Sequence, residues 1–192
     1  LILYNEYFPI TDNYTVIDTE TTGLDSYKDK IIQFGAIKIQ NGKVVNSFNS
    51  LINPEKHITK KITKINGITD DMVINQPIFS EIENQIINFM QDDILIGHNI
   101  NFDIRFLNNE AKKFITNSTI DTLSLAQKRY NFENHKLATL AQRLNLPLNN
   151  HDAFADCTTI VALYEKMKED VYKEIAKIEF KHYIFNLLLQ KK

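Results

Sequence analysis

Tyr14-Thr15-Val16-Ile17-Asp18-Thr19-Glu20-Thr21-Thr22-Gly23-Leu24 is a run of strand-forming residues that leads directly into acids. β-Branched and aromatic side chains suit a pleated, half-buried surface, so residues 14–17 predict a buried strand and Asp18 marks its polar edge. Side chains alternate across a strand, which puts Asp18 and Glu20 on one face. Residues 31–39 and 44–52 flank Asn41-Gly42, the pair favoured in a tight type I′ hairpin turn. The first third is therefore expected to form three antiparallel strands.

Further out, Pro54 and Pro77 bracket a helical spacing at Ile58, Ile62 and Ile65, with a stop at Gly67 and a restart at Thr69-Asp70. Ile82, Ile86, Phe89 and Met90 recur as on an amphipathic helix. Residues 94–96 predict a fourth strand ending at Gly97-His98-Asn99, and residues 118–121 a fifth. Helices are predicted over 102–114, 123–130 and 137–144, the last stopped by Pro147, and from about residue 152 almost to the end. Three antiparallel strands followed by alternating helices and strands imply a mixed α/β domain rather than a doubly wound parallel one. A chain of 192 residues suits one full core, so residues 1–192 are expected to be a single domain.

The composition, 43% hydrophobic and 24% charged, is that of an ordinary globular protein. With 22 Lys and Arg against 24 Asp and Glu, the formal charge is −2, which argues against coating duplex DNA through a basic face. A nucleic-acid ligand would be held at a short end, with carboxylate-bound metal ions supplying positive charge. Cys157 is the lone cysteine, so neither an intramolecular disulfide nor a cysteine-based zinc site can be built. There is no apolar run long enough for a bilayer and no signal-like start, so a cytoplasmic chain without membrane contact is expected.

Three acidic stretches carry chemistry. Asp18 and Glu20 repel unless a cation sits between them, although an unremarkable solvated strand end explains the spacing alone. After them, Gly23 permits a sharp turn and the threonines offer hydroxyls where a phosphate could sit. Asp103, in His98-Asn99-Ile100-Asn101-Phe102-Asp103, begins a helix, where capping is the ordinary role of an Asp. His151 precedes the final helix and Asp156 lies about a turn into it; their ordinary roles are a loop histidine and an exposed acid. Four carboxylates and an imidazole nonetheless form a coherent set for hydrolysis by two metal ions, since Mg²⁺ prefers oxygen ligands and imidazole titrates near neutral pH.

Together these stretches resemble the DnaQ-like DEDDh exonucleases over roughly residues 13–168. Asp18-Thr19-Glu20 matches the first motif, His98-Asn99 through Phe102-Asp103 the second, and His151 with Asp156 the third. Ile31-Ile32-Gln33-Phe34-Gly35-Ala36, Asn66-Gly67-Ile68-Thr69 and Ile120-Asp121-Thr122-Leu123 agree as well. The resemblance implies a ribonuclease H-like fold: a mixed five-stranded sheet flanked by helices. It also implies 3′→5′ removal of nucleotides, with Asp18, Glu20, Asp103 and Asp156 binding two Mg²⁺ or Mn²⁺ ions and His151 as general base. Thr19, Thr21, Leu24, Ile68, His98, Asn99 and Phe102 would contact the terminal nucleotide, although local core packing equally accounts for Ile68 and Phe102.

The expected substrate is a single-stranded 3′ end of DNA in proofreading or repair, with RNA as the near rival and a non-catalytic binding module as the distant one. Residues 171–192 carry Ile175, Ile178, Phe185, Leu188 and Leu189 along one side of an amphipathic helix. It is expected to dock on its own domain, the alternatives being a replicative polymerase subunit or a second copy. The first eleven residues carry no motif and are expected to pack on the outside.

Overall fold

In the computed structural model β1 (Tyr14–Thr21) extends beyond its apolar start and carries Asp18 and Glu20 on the strand itself. Residues 8–147 and 152–189 are described, with side chains as far as residue 181. β1 pairs antiparallel with β2 (Ile31–Gln40), which pairs antiparallel with β3 (Lys43–Leu51) across a turn where Asn41 and Gly42 have φ of 51° and 70°. Those positive angles are what the Asn-Gly pair supplies. β4 (Leu95–Gly97) joins the other side of β1 in parallel, and β5 (Thr119–Asp121) joins β4, so the five-stranded order is β3-β2-β1-β4-β5.

The helices are α1 (Lys60–Asn66), α2 (Asp70–Val73), α3 (Phe79–Met90), α4 (Asn101–Glu110), α5 (Thr122–Arg129), α6 (Leu137–Leu144) and α7 (Ala153–Leu189). Thr59 caps α1 through the Ile62 amide, and Gly67 ends it in the left-handed region. Both faces of the central strands are covered, while β3 is largely exposed. Val16, Ile37, Ile96 and Ile120 pack with α5, α6 and α7 on one side. Ile17, Phe34, Ala36 and Leu95 pack with α3 and α4 on the other. Val16 and Ile17 are both fully buried, which contributes about 1.5–3 kcal/mol each.

Two expectations are corrected. The helix predicted over 102–114 stops at Glu110, because side chains capture the amides that would continue it. Glu83 accepts from the Lys112 amide at 2.6 Å, and Asn108 from the Ile115 amide at 2.7 Å. Phe114 is consequently left on an irregular segment and 70% exposed. The second correction concerns Phe8, which is buried rather than external and stacks on Tyr164 with ring centroids 5.9 Å apart. The Tyr164 hydroxyl also donates to the Pro9 carbonyl at 2.7 Å, fastening this segment to α7. Residues 1–7 lie outside the described residues.

Helix α7 is seated by β2. Gln33 Oε1 accepts from the Ala153 amide at 3.1 Å, and its Nε2 donates to Asp152 at 2.7 Å. A Cβ on Gly35 would lie 2.6 Å from the Ala153 carbonyl carbon, so only glycine admits the helix this closely. Farther along, Val171 is buried and Ile175 is partly buried against the core. Ile178 and Phe180 are exposed. Among the described residues, no helix is long and apolar enough to cross a membrane.

Candidate active site

The sheet changes character at β1, antiparallel on one side and parallel on the other. In such sheets ligands bind outside the carboxyl ends of the strands. Asp18 and Glu20 lie in the second half of β1, and a register shift between Glu20 and Thr21 disturbs the ladder beside them. Bulges of this kind re-aim side chains next to functional sites. Asp103 comes from the first turn of α4, just after β4, and Asp156 from the first turn of α7.

These elements bring the acids together. One carboxylate oxygen each from Asp18, Glu20 and Asp156 lies within 4.8 Å of the others, and all three residues are half-buried. Like charges at 4.8 Å repel by roughly 3 kcal/mol per pair at an effective dielectric near 20. Asp103 lies outside this tight trio but acts on it: after burial, its charge is the largest influence raising Asp18 well above the usual carboxylate range, ahead of Asp156, Glu20 and Asp152. Asp103 itself is pushed up to about 7, mainly by burial, while the Thr19 hydroxyl donating at 2.6 Å pulls the other way.

Such a group of acids is costly until a cation shares it. The donor set fits a divalent metal ion: hard carboxylate oxygens converge beside the end of β1.

Three contributors were not assigned roles from sequence. Asn66 Nδ2 donates to Glu20 Oε2 at 3.1 Å, and a carboxylate so held keeps its orientation. Asp152 accepts from the Ala155 amide at 2.9 Å, capping α7 and fixing the turn that bears Asp156. Gln33 reaches the same cap from β2. Asn66 and Gln33 stand within stretches that carry the family resemblance, but only side-chain geometry shows what they hold.

The predicted substrate contacts divide. Leu24 is 84% exposed beside the acids' strand and is available to a ligand. Asn99 is exposed, with φ of 69°, and its backbone N–H donates to Asp121 Oδ1 at 2.8 Å. His98 is largely committed: Nε2 meets the His135 carbonyl at 2.8 Å and Nδ1 the Thr122 hydroxyl at 3.0 Å. Since a carbonyl only accepts, Nε2 carries the proton, and burial lowers the ring's pKa toward the neutral form.

Phe102 is half-buried against Phe106 at 4.8 Å. Ile68 is buried with Ile32, Ile58 and Val73, which puts it in the core. The threonine hydroxyls are also engaged internally, Thr19 with Asp103 and Thr21 with the Gly23 carbonyl. The close approach that Gly23 permits is used by the Asp29 carboxylate, which would lie 2.2 Å from an added Cβ. His151 lies outside the described residues.

A mixed sheet in this order, with acids converging at the end of its first strand, is a ribonuclease H-like nuclease fold. The sequence profile of the exonuclease family, of RNase T type, matches residues 15–164, and the chain belongs to that family. The PolC-type DNA polymerase III of Caldanaerobacter subterraneus subsp. tengcongensis is 36% identical over 174 residues, covering 86% of this chain and 12% of the polymerase. That of Bacillus subtilis (strain 168) is 36% identical over 166 residues, covering 83% and 12%. The chain thus spans about an eighth of the length of these relatives.

Among solved structures, exonuclease X in complex with 5′-overhanging duplex DNA matches with a TM-score of 0.70 at 24% identity, over 82% of this chain and 92% of that one. The nuclease domain of 3′hExo, a DEDDh family member bound to rAMP, matches with a TM-score of 0.72 at 17% identity, over 85% and 94%. At these identities the likeness is one of fold.

Proposed function

We propose that the chain is a Mg²⁺- or Mn²⁺-dependent 3′→5′ exonuclease that removes nucleoside 5′-monophosphates from the 3′ end of single-stranded or frayed DNA, in proofreading or repair. The observation that carries this reading is the convergence of Asp18, Glu20 and Asp156 within 4.8 Å, with Asp103 beside them. In this reading Asp18, Glu20, Asp103 and Asp156 hold two ions. Bound there, such ions supply Lewis-acid stabilisation of the attacking and leaving oxygens of an in-line displacement. His151 takes the proton of the attacking water. Leu24 wedges against the terminal base, and Asn99 offers its exposed amide to the terminal nucleotide. His98 orders the loop that presents Asn99, while Thr19 and Thr21 act through Asp103 and the Gly23 carbonyl rather than on substrate directly.

The likeness to PolC-type polymerases supports DNA as substrate, a replicative polymerase as the setting and the cytoplasm as the place. Residues 1–192 act as one exonuclease domain. RNA remains the second reading, because a nuclease domain of the same fold binds rAMP. Side-by-side digestion of 5′-labelled single-stranded DNA, mismatched duplex DNA and RNA in Mg²⁺ tests both. Stepwise shortening of the DNAs is expected; release of internal fragments, or digestion of RNA alone, overturns the DNA exonuclease reading.

A further inference from the structure

Beside Leu24 a cleft of about 720 Å³ opens between the turn after β1 and the outer side of α4. Its size is that of a ligand site rather than a surface dimple. Leu24, Tyr27 and Phe114 line it while being 84%, 89% and 70% exposed. Large apolar side chains gathered at one place on a surface mark an interaction site more often than isolated ones do.

The walls are ordered. Asn109 Nδ2 donates to Ser26 Oγ at 2.8 Å, tying α4 to the turn, and Asn108 holds the Ile115 amide at 2.7 Å beside Phe114. The turn is folded on itself by the Tyr27 amide donating to Asp25 at 3.1 Å and the Asp25 amide to Asp29 at 3.0 Å.

Two charged side chains line the cleft, Asp25 and Arg105, and the acid is already paired. Asp25 is matched by Lys28 at 3.1 Å. Arg105 lines the same cleft, is exposed, and has no ion-pair partner among the described residues. It lies two positions after Asp103 on α4, pointing outward where Asp103 points in.

We propose that this cleft binds the single DNA strand upstream of the scissile end, with Tyr27 and Phe114 stacking on bases and Arg105 pairing with a backbone phosphate. The inference rests on the exonuclease reading above and extends it away from the terminal nucleotide. Aromatic stacking accepts any base, as an enzyme working along a strand requires, and a lone Arg beside two rings is the kind of site that tracks a single strand.

The test compares two substrates. The p-nitrophenyl ester of thymidine 5′-monophosphate fills the terminal position alone, whereas decathymidylate extends into the cleft. For Tyr27→Ala and Phe114→Ala, the ratio of kcat/KM on decathymidylate to that on the ester is expected to fall on the order of tenfold each. Arg105→Ala should flatten the slope of log KM against log salt on the oligonucleotide by about 0.7, with Arg105→Lys restoring it.

Unchanged ratios and slopes overturn the proposal, as does a loss shared equally by both substrates. Failure of the unsubstituted chain to cleave either substrate instead removes the exonuclease reading, and this inference with it.

Discussion

The Thr19 hydroxyl on β1 donates to Asp103 on α4 across 2.6 Å, joining two elements 84 positions apart inside the acidic site. The bond is buried and acts on charge as well as position: it lowers the pKa of a carboxyl that burial alone pushes upward. Asp103 is thereby kept closer to the anionic state that cation binding needs.

Thr19→Val removes that donor while keeping a β-branched strand former. At sub-saturating Mg²⁺, the acid limb of the pH–rate profile should move alkaline by about one unit, and the rate at neutral pH should drop roughly tenfold. The rate should recover at higher pH. An acid limb that stays in place would show that the bond does not govern Asp103.

In EDTA the acids carry their own repulsion, and the sign of the pH effect follows. Asp103 rises from an ordinary 3.8 to about 7 on folding, and Asp18 moves in the same direction. The folded state therefore binds more protons than the unfolded state over that window, so stability falls as pH rises through it. Urea midpoints in EDTA should be lower at pH 8 than at pH 5.5, and added Mg²⁺ should abolish the difference by binding only the folded state. A midpoint that climbs with pH in EDTA contradicts the convergence of these acids.

Gly35→Ala introduces a Cβ at 2.6 Å from the backbone of Ala153 and Phe154, so the start of α7 must move. Asp152 and Asp156 move with it. Nucleotide release should fall about 100-fold, since small misplacements at a reacting centre cost that much. Stability should drop by about 1–3 kcal/mol. Gly42→Ala, with nothing within 4 Å, serves as comparison: it meets only the strain of φ 70° and should keep its activity.

Asp18→Asn separates catalysis from folding. It removes a charge from the trio while keeping its shape, so the metal-free protein should gain stability as nucleotide release falls about 1000-fold or more. His151→Ala should slow release by about 100- to 10,000-fold. Undiminished release by Asp18→Asn would remove the two-metal assignment.

Much of the scaffold was legible in local pattern. The hairpin around Asn41-Gly42 followed from turn chemistry, and the helix stop at Gly67 and restart at Thr69-Asp70 from local helix signals. Helix α4 was read too long because Phe114 continues a helical spacing. What ends the helix is the capture of following amides by Glu83 and Asn108, and for Lys112 the acceptor is 29 positions away. Phe8 was misplaced for a similar reason: nothing near it in the chain indicates that Tyr164 will cover it.

Ile68 and Leu24 show that exposure is not written in local sequence. Both are apolar positions in stretches shared with the family, yet one is buried at 3% exposure and the other stands at 84%.

By itself the sequence determined which residue types are available and in what order: strand formers leading into Asp18 and Glu20, an acid after the fourth strand, and another in the final helix. Those choices are local, set by side-chain shape and backbone preference. Only the tertiary structure decided that three carboxylates crowd within 4.8 Å, that Gln33 and Gly35 seat the last helix, and that Asn66 holds Glu20. Burial, charge repulsion and close packing act between residues far apart in the chain, and their strength depends on distances that exist only once the sheet has assembled.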